Sequence, residues 1–273
     1  MTTTITHPAG PPAAAVPDRV GPLDAVRHTL TLAWRSLVQI RHNPMELGDL
    51  SLQPLMFVAL FAFVFGGAIA GSPKAFLQFG LAGIITQNAL FLTMNTGVAL
   101  NNDITKGVFD RFRSLPIARS APLAGRIAAD VVRQVWSMAI LLGVGTLLGF
   151  RVQTNLIGVL GAVVLILVFA CAFSWLPVLV ARLVDEPEKV MMLGFVVVLP
   201  LTFASSAFVP VATMPGWMQA WVAVKPATLL VDAVRGLLVG GAVAAPALGA
   251  PAWAAAIAAV CAPLALGAFR RRS

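Results

Sequence analysis

Charge is what this 273-residue chain has least of: only 11% of its residues are Asp, Glu, Lys or Arg, where a water-soluble domain carries roughly a quarter. A soluble globular protein is excluded on that count, because too few charges remain to coat its surface. Cysteine is scarce as well. Cys171 and Cys261 both fall within apolar runs, where a thiol behaves as a small hydrophobe and announces neither a disulfide framework nor a metal site. The three histidines, His7, His28 and His42, precede the first long apolar run without ligand spacing, which argues against metal chemistry. No Gly-Lys pair occurs anywhere, yet a phosphate-cradling loop needs Lys directly after Gly in Gly-x-x-x-x-Gly-Lys-Ser/Thr. The chain is therefore expected to bind no nucleotide cofactor and to hydrolyse none by itself. Neither His-Glu-x-x-His nor Gly-x-Ser-x-Gly is present, so nothing points to an intramembrane hydrolase.

Hydrophobicity fills the deficit: 59% of the residues are hydrophobic and the mean hydropathy is +0.88. About 20 mostly apolar residues cross the hydrocarbon core as a helix, and the pattern predicts an all-α polytopic membrane protein with six transmembrane helices. Residues 1–21, rich in Thr, Pro and Ala, read as a disordered cytoplasmic tail and not as a cleaved signal peptide. Over 22–43 the spacing predicts an interfacial amphipathic helix, with Leu23, Val26, Leu30, Trp34, Leu37 and Ile40 on one face and Arg27, Arg35 and His42 on the other. The transmembrane domain follows over 50–269. Its spans are expected at Leu52–Ala70, Phe76–Leu100, Val131–Phe150, Leu156–Val180, Val190–Val209 and Ala247–Phe269, with a basic cytoplasmic end at 270–273. Between the last two spans, Pro215, Trp217, Trp221 and Pro226 suit short interfacial or re-entrant helices on the outer side.

The net charge of +8 and pI near 11 reflect topology and not nucleic acid. All of the 19 Lys and Arg except Lys74, Arg151, Lys225 and Arg235 fall on one side of this arrangement, which puts both termini in the cytoplasm by the positive-inside rule. A proton-driven transporter usually carries an acidic group near the bilayer centre. The acidic residues here are expected in the tail, in surface segments or near span ends; Asp232 comes closest to being embedded, and an i,i+3 ion pair with Arg235 explains it. An ATP-independent secondary transporter or channel stays open as the alternative class at this point.

On the cytoplasmic side, residues 101–120 carry Ile104, Val108, Phe112 and Leu115 at helical spacing, with Asp103, Lys106, Asp110 and Arg113 opposite and Arg111 at the edge. Pro116 stops that helix. Such a segment is suited to passing force from a soluble partner into the second and third spans. Span two is the most polar of the six, and its Gln87, Asn88 and Asn95 read either as lining a substrate pathway or as holding helices together.

Two stretches resemble the ABC-type-2 transporter permeases, and within them the daunorubicin-exporter-like branch. One is the acidic-x-x-x-Gly-x-x-x-Arg-x-Arg-x-x-Pro pattern at Asp103, Gly107, Arg111, Arg113 and Pro116. The other runs from Ser205 to Gly236, where Phe208, Pro210, Met214, Pro215, Trp217, Pro226, Asp232 and Arg235 match. Asp103 replaces the Glu that is frequent there, and Lys225 the frequent Asn. The resemblance covers most of the chain and implies a dimeric pore, built from two copies or from two related permeases, in the plasma membrane of a bacterial cell. It further implies that Asp103 to Arg119 is a coupling helix docked on a separate ATPase subunit, which would hold the ATP and Mg. Export of a hydrophobic drug or lipid-like compound across the bilayer would be the function.

Overall fold

The computed structural model describes residues 44–106, 121–184, 186–241 and 243–271. The expected interfacial helix over 22–43 and residues 107–120 of the coupling segment lie outside the described residues. Helix α1 (Pro44–Ala59) passes through a π-helical stretch, Leu60–Phe65, into α2 (Gly66–Ala70), forming one apolar rod. A π turn re-aims the side chains that follow it. Here Phe61 stacks on Phe208 at 4.4 Å and lies beside Phe57 and Phe76. Gly71 ends the rod at φ 74°, a left-handed conformation that a Cβ would strain. Ser72 then accepts a hydrogen bond from the Ala75 N–H at 3.2 Å, capping a helix that opens on Pro73.

That helix, α3 (Pro73–Thr105), is 33 residues long and organises the rest. After it come α4 (Ala121–Leu147), α5 (Leu156–Phe173), α6 (Trp175–Leu183) and α7 (Pro187–Phe203). A single 3-10 turn at Val211–Thr213, short α8 (Gly216–Ala223), α9 (Pro226–Val239) and α10 (Ala244–Arg271) complete the described elements. The α5–α6 break falls at Ser174, where Pro177 opposes a continuous helix by removing an N–H and crowding the preceding turn. Helix α3 packs against α1, α2, α4, α5, α6, α7 and α9, while α10 covers α5, α6 and α9. A helix enclosed on all sides has apolar residues all round, and Phe76, Leu81, Ile84, Ile85, Leu90 and Leu100 of α3 are all buried.

Five helical stretches among the described residues are long and apolar enough to cross a membrane: Ser51–Ala70, Pro73–Thr105, Ala129–Leu147, Leu156–Leu183 and Ala244–Ala265. They match five of the six expected spans, and the chain is a multi-pass membrane protein. The remaining expectation, Val190–Val209, is not among them: the 17-residue α7 covers most of it and is about 26 Å long at 1.5 Å per residue against about 30 Å of hydrocarbon. Hydroxyl groups explain where it stops. Thr202 Oγ1 donates to Val198 O (2.8 Å), Ser205 Oγ to Thr202 O, and Ser205 Oγ receives the Ala207 N–H (3.2 Å). Side-chain bonds of this kind offer the backbone an alternative to the helical ladder. Residues Ala204 to Val209 accordingly turn, bringing Ala207 and Phe208 into the core.

Lipid tails are as apolar as Leu, so close van der Waals contact holds such helices together more than the hydrophobic effect does. Gly83 of α3 illustrates this, since a Cβ there would collide with the backbone of Ala207. At Gly194 of α7 a Cβ would meet only the flexible end of Met94. Gly83→Ala is therefore expected to lower stability by about 1–3 kcal/mol, whereas Gly194→Ala stays close to the parent. Thermal melting of the detergent-solubilised variants, followed by size-exclusion chromatography, measures the ordering.

Candidate functional site

Polar groups on α3 make the candidate site, because each must find a partner within the protein where no water reaches. Most do. Ser137 of α4 donates to Asn88 Oδ1 at 2.7 Å, and Gln134 Nε2 donates to the Ala89 carbonyl at 2.8 Å. Thr93 Oγ1 turns back to Leu90 O at 2.6 Å, and Thr96 Oγ1 donates to Asp130 at 2.8 Å. Near the far end, Asn101 Nδ2 donates to both Ala181 O (2.9 Å) and Val184 O (2.8 Å), the last carbonyls of α6 and its cap.

One face of α3 carries the amides Asn88 and Asn95. Ile84, Asn88, Phe91 and Asn95 follow one another at spacings of four, three and four, a single line along α3. Asn95 is exposed. Beside this line a small cleft opens between α1 and α3, lined by Gln53, Pro54, Phe57, Ile84, Gln87, Asn88 and Phe91. Gln87 is buried and its Nε2 has no hydrogen-bond partner among the described residues. Gln53 of α1 is exposed, and on the other flank Phe91 meets Phe195 of α7 at 5.3 Å. Among the described residues of the five candidate spans, the exposed side chains that carry an amide or a charge are Asn95, well inside its span, and Gln53 and Lys74, each within two residues of a span end. The other exposed positions away from the span ends are apolar, glycine or tryptophan.

A second polar cluster lies toward the Pro73 end. Arg235 of α9 donates to Asp232 (2.8 Å), to Phe79 O of α3 (3.0 Å) and to Ser206 O (2.6 Å), and its guanidinium lies 4.1 Å from the Phe79 ring centroid. Ser206 Oγ donates to Asp232 at 2.7 Å. The expected Asp232–Arg235 ion pair is present, and it also ties α9 to α3 and to the turn after α7. Pro215 caps α8, Pro226 starts α9, and Trp217 is exposed, in keeping with short helices there. Lys225 reaches 3.1 Å from the Trp221 ring centroid and donates to Ala204 O at 3.2 Å, where α7 ends. Burial pushes its ammonium below the ordinary lysine range.

Of the coupling residues read from the sequence, Asp103 and Lys106 stand at the end of α3, where the Lys106 N–H closes on Asn102 O at 3.0 Å. Gly107, Asp110, Arg111, Arg113 and Pro116 lie outside the described residues. The sequence reading placed Asp130 just before a span and attached nothing to Gln53 or Asn101. Asp130 is the second residue of the candidate crossing Ala129–Leu147, near a span end as expected, with the opposite charge three residues on at Arg133. Gln53 carried a signal in the sequence, as a lone amide next to an apolar run.

A model of the ABC-2 type transporter family matches residues 27–239. A daunorubicin resistance ABC transporter permease protein of Streptomyces coeruleorubidus is 43% identical over 216 residues, covering 79% of this chain and 76% of that one. A probable doxorubicin resistance ABC transporter permease protein of Mycobacterium tuberculosis is 30% identical over 223 residues, 81% and 80% of the two chains. A putative transport permease of Cyanophora paradoxa is 26% identical over 216 residues, 77% and 73%.

Arg235 holds three acceptors at once through its planar fork, which a lysine ammonium on a flexible stem cannot do. Arg235→Lys is expected to cost on the order of 2 kcal/mol by leaving buried carbonyls unanswered. Melting of the purified variant checks this; a transition unchanged from the parent contradicts the assigned role of the cluster.

Proposed function

Because this chain belongs to the ABC-2 type transporter family, we propose that two copies, or one copy and a related permease, form an export pathway along the Gln53–Asn95 face. The chain is the membrane-spanning permease subunit of an ATP-binding-cassette exporter, and it is not itself an enzyme. Its cargo in this reading is a hydrophobic drug or lipid-like compound, as the names of its relatives suggest. ATP and Mg belong to a separate ATPase subunit, in keeping with the absence of any Gly-Lys pair here. Six crossings, with α7 as a short one, put both termini in the cytoplasm of a bacterial plasma membrane, consistent with the skew of Lys and Arg.

The observation that carries this reading is the exposure of Gln53 and Asn95 beside the cleft. Amides facing lipid are costly, whereas amides facing a second protein surface or a wet pathway are not. Asp103, Lys106, Gly107, Asp110, Arg111, Arg113 and Pro116 form the coupling segment in this account. It joins the end of α3 to the start of α4, so force applied by the ATPase reaches the helix that bears the pathway line. Asn101 and Thr96 extend that force to α6 and α4 through the bonds already described.

Asp110→Lys and Arg113→Glu should leave membrane insertion intact while lowering export at least about ten-fold, within the usual span of a coupling energy. The assay is ATP-dependent, vanadate-sensitive accumulation of a lipophilic dye in inside-out vesicles holding the chain and its ATPase. Unchanged export by both variants contradicts the coupling assignment. No ATP-dependent accumulation by the parent complex, over a panel of lipophilic dyes, contradicts the cargo class.

A further inference from the structure

Helix α4 carries a charge pair at the start of its apolar crossing. Asp130 and Arg133 meet at 2.8 Å, and Thr96 Oγ1 of α3 donates to the same carboxylate at 2.8 Å. This cluster borders a crevice between α3, α4 and the α5–α6 break. It lies on a different face of α3 from the Asn88–Asn95 line: with 100° per residue, Thr96 points about 100° away from Asn95 and Thr93 farther still. The pathway reading makes no use of this pair.

The polar lining of the crevice is one-sided. Thr93 Oγ1 gives its hydrogen to Leu90 O (2.6 Å), Thr96 Oγ1 to Asp130 (2.8 Å), and Ser174 Oγ to Cys171 O (2.8 Å). Each hydroxyl has thereby used its one donor on the protein and has only lone pairs left. Gln134 turns its Nε2 to Ala89 O (2.8 Å), which fixes the amide and leaves Oε1 without a partner among the described residues. That side chain is only 5% exposed. Arg133, the strong donor among the lining residues, commits Nη1 to Asp130 and offsets part of that carboxylate's charge. Away from Arg133, a phosphate or carboxylate head would meet lone pairs on this wall. A primary ammonium brings three donors and no acceptor, and the neighbouring carboxylate favours its charge.

We propose that this crevice binds the primary-ammonium head of an amphiphile, with Gln134 Oε1 and Asp130 as its principal acceptors and Leu92 and Leu167 guiding its tail toward the lipid. The head has two sources, an aminophospholipid of the membrane or an amine-bearing cargo molecule. The inference borrows from the proposed function only the membrane side, the leaflet that faces the ATPase.

Native mass spectrometry of the full chain released from nanodiscs compares heads that differ only by N-methylation: phosphatidylethanolamine against phosphatidylcholine with the same acyl chains, and octadecylammonium against octadecyltrimethylammonium. Methylation removes every N–H donor and keeps the charge. The primary head is expected to bind about ten-fold more tightly, the equivalent of one hydrogen bond to a charged group. Asp130→Asn and Gln134→Leu should each bring that ratio close to one. A preference in the lipid pair, alone or with the other, identifies a membrane aminophospholipid as occupant; a preference confined to octadecylammonium identifies cargo. Equal affinities for primary and quaternary heads in the parent chain overturn the inference, and that comparison needs no variant to fold. A preference that survives both substitutions overturns it too, by moving the ammonium elsewhere. The ATPase takes no part in this measurement, so failure of export leaves the result standing, and failure of ammonium selectivity leaves the export reading standing.

Discussion

Hydrocarbon offers no hydrogen bonds, so every polar group that enters the bilayer must be answered by the chain itself, and that constraint decides how these helices are arranged. Helix α3 carries most of the polar load, and its neighbours are bound by it: α4 through Asn88, Ala89 and Thr96, α6 through Asn101, and α9 through the Phe79 carbonyl. Each bond fixes a height as well as a pairing, because a helix that slid by one turn would strand its partner groups in an apolar medium. Packing supplies the rest, through contacts such as Gly83 on the Ala207 backbone. The result is a hub helix enclosed along nearly its whole length.

One line on that hub is not enclosed. Asn95 and Gln53 stand exposed while the outward faces of α4, α5, α7 and α10 present Val, Leu, Ile, Met, Phe and Ala to lipid. In the proposed reading this line is completed by something outside the chain. Membership of the ABC-2 type transporter family supplies the reason, since a permease subunit works against another across a shared pathway. The Asp130 crevice, in contrast, is turned away from that line and is closed on three sides by this chain alone.

Much of the fold was legible as hydropathy. Five of the six expected spans match within a few residues, because a run of 20 apolar residues has one stable state in a bilayer. The short helices before α10 were legible for a different reason: Pro215 and Pro226 each open a helix, and the tryptophans mark an interface. The Asp232–Arg235 pair followed from i,i+3 spacing. The end of α7 was hidden, since hydropathy averages over Thr202 and Ser205, whose hydroxyls capture backbone groups one by one. The partners of Asn101 and Gln134 were beyond reach, for nothing in a one-dimensional pattern says which carbonyl 45 or 80 residues away an amide will meet.

The claim on which the account turns is that the Gln53–Asn95 line faces a second permease chain. Electron-paramagnetic distance measurement tests it directly, with spin labels on Asn95→Cys in a chain carrying Cys171→Ser and Cys261→Ala, reconstituted together with the ATPase. The account predicts a short separation between the two copies, about 20 Å or less, as for helices one or two contact distances apart. No dipolar coupling, or a separation beyond about 40 Å, several times a helix contact distance, would put the α3 faces apart and contradict it.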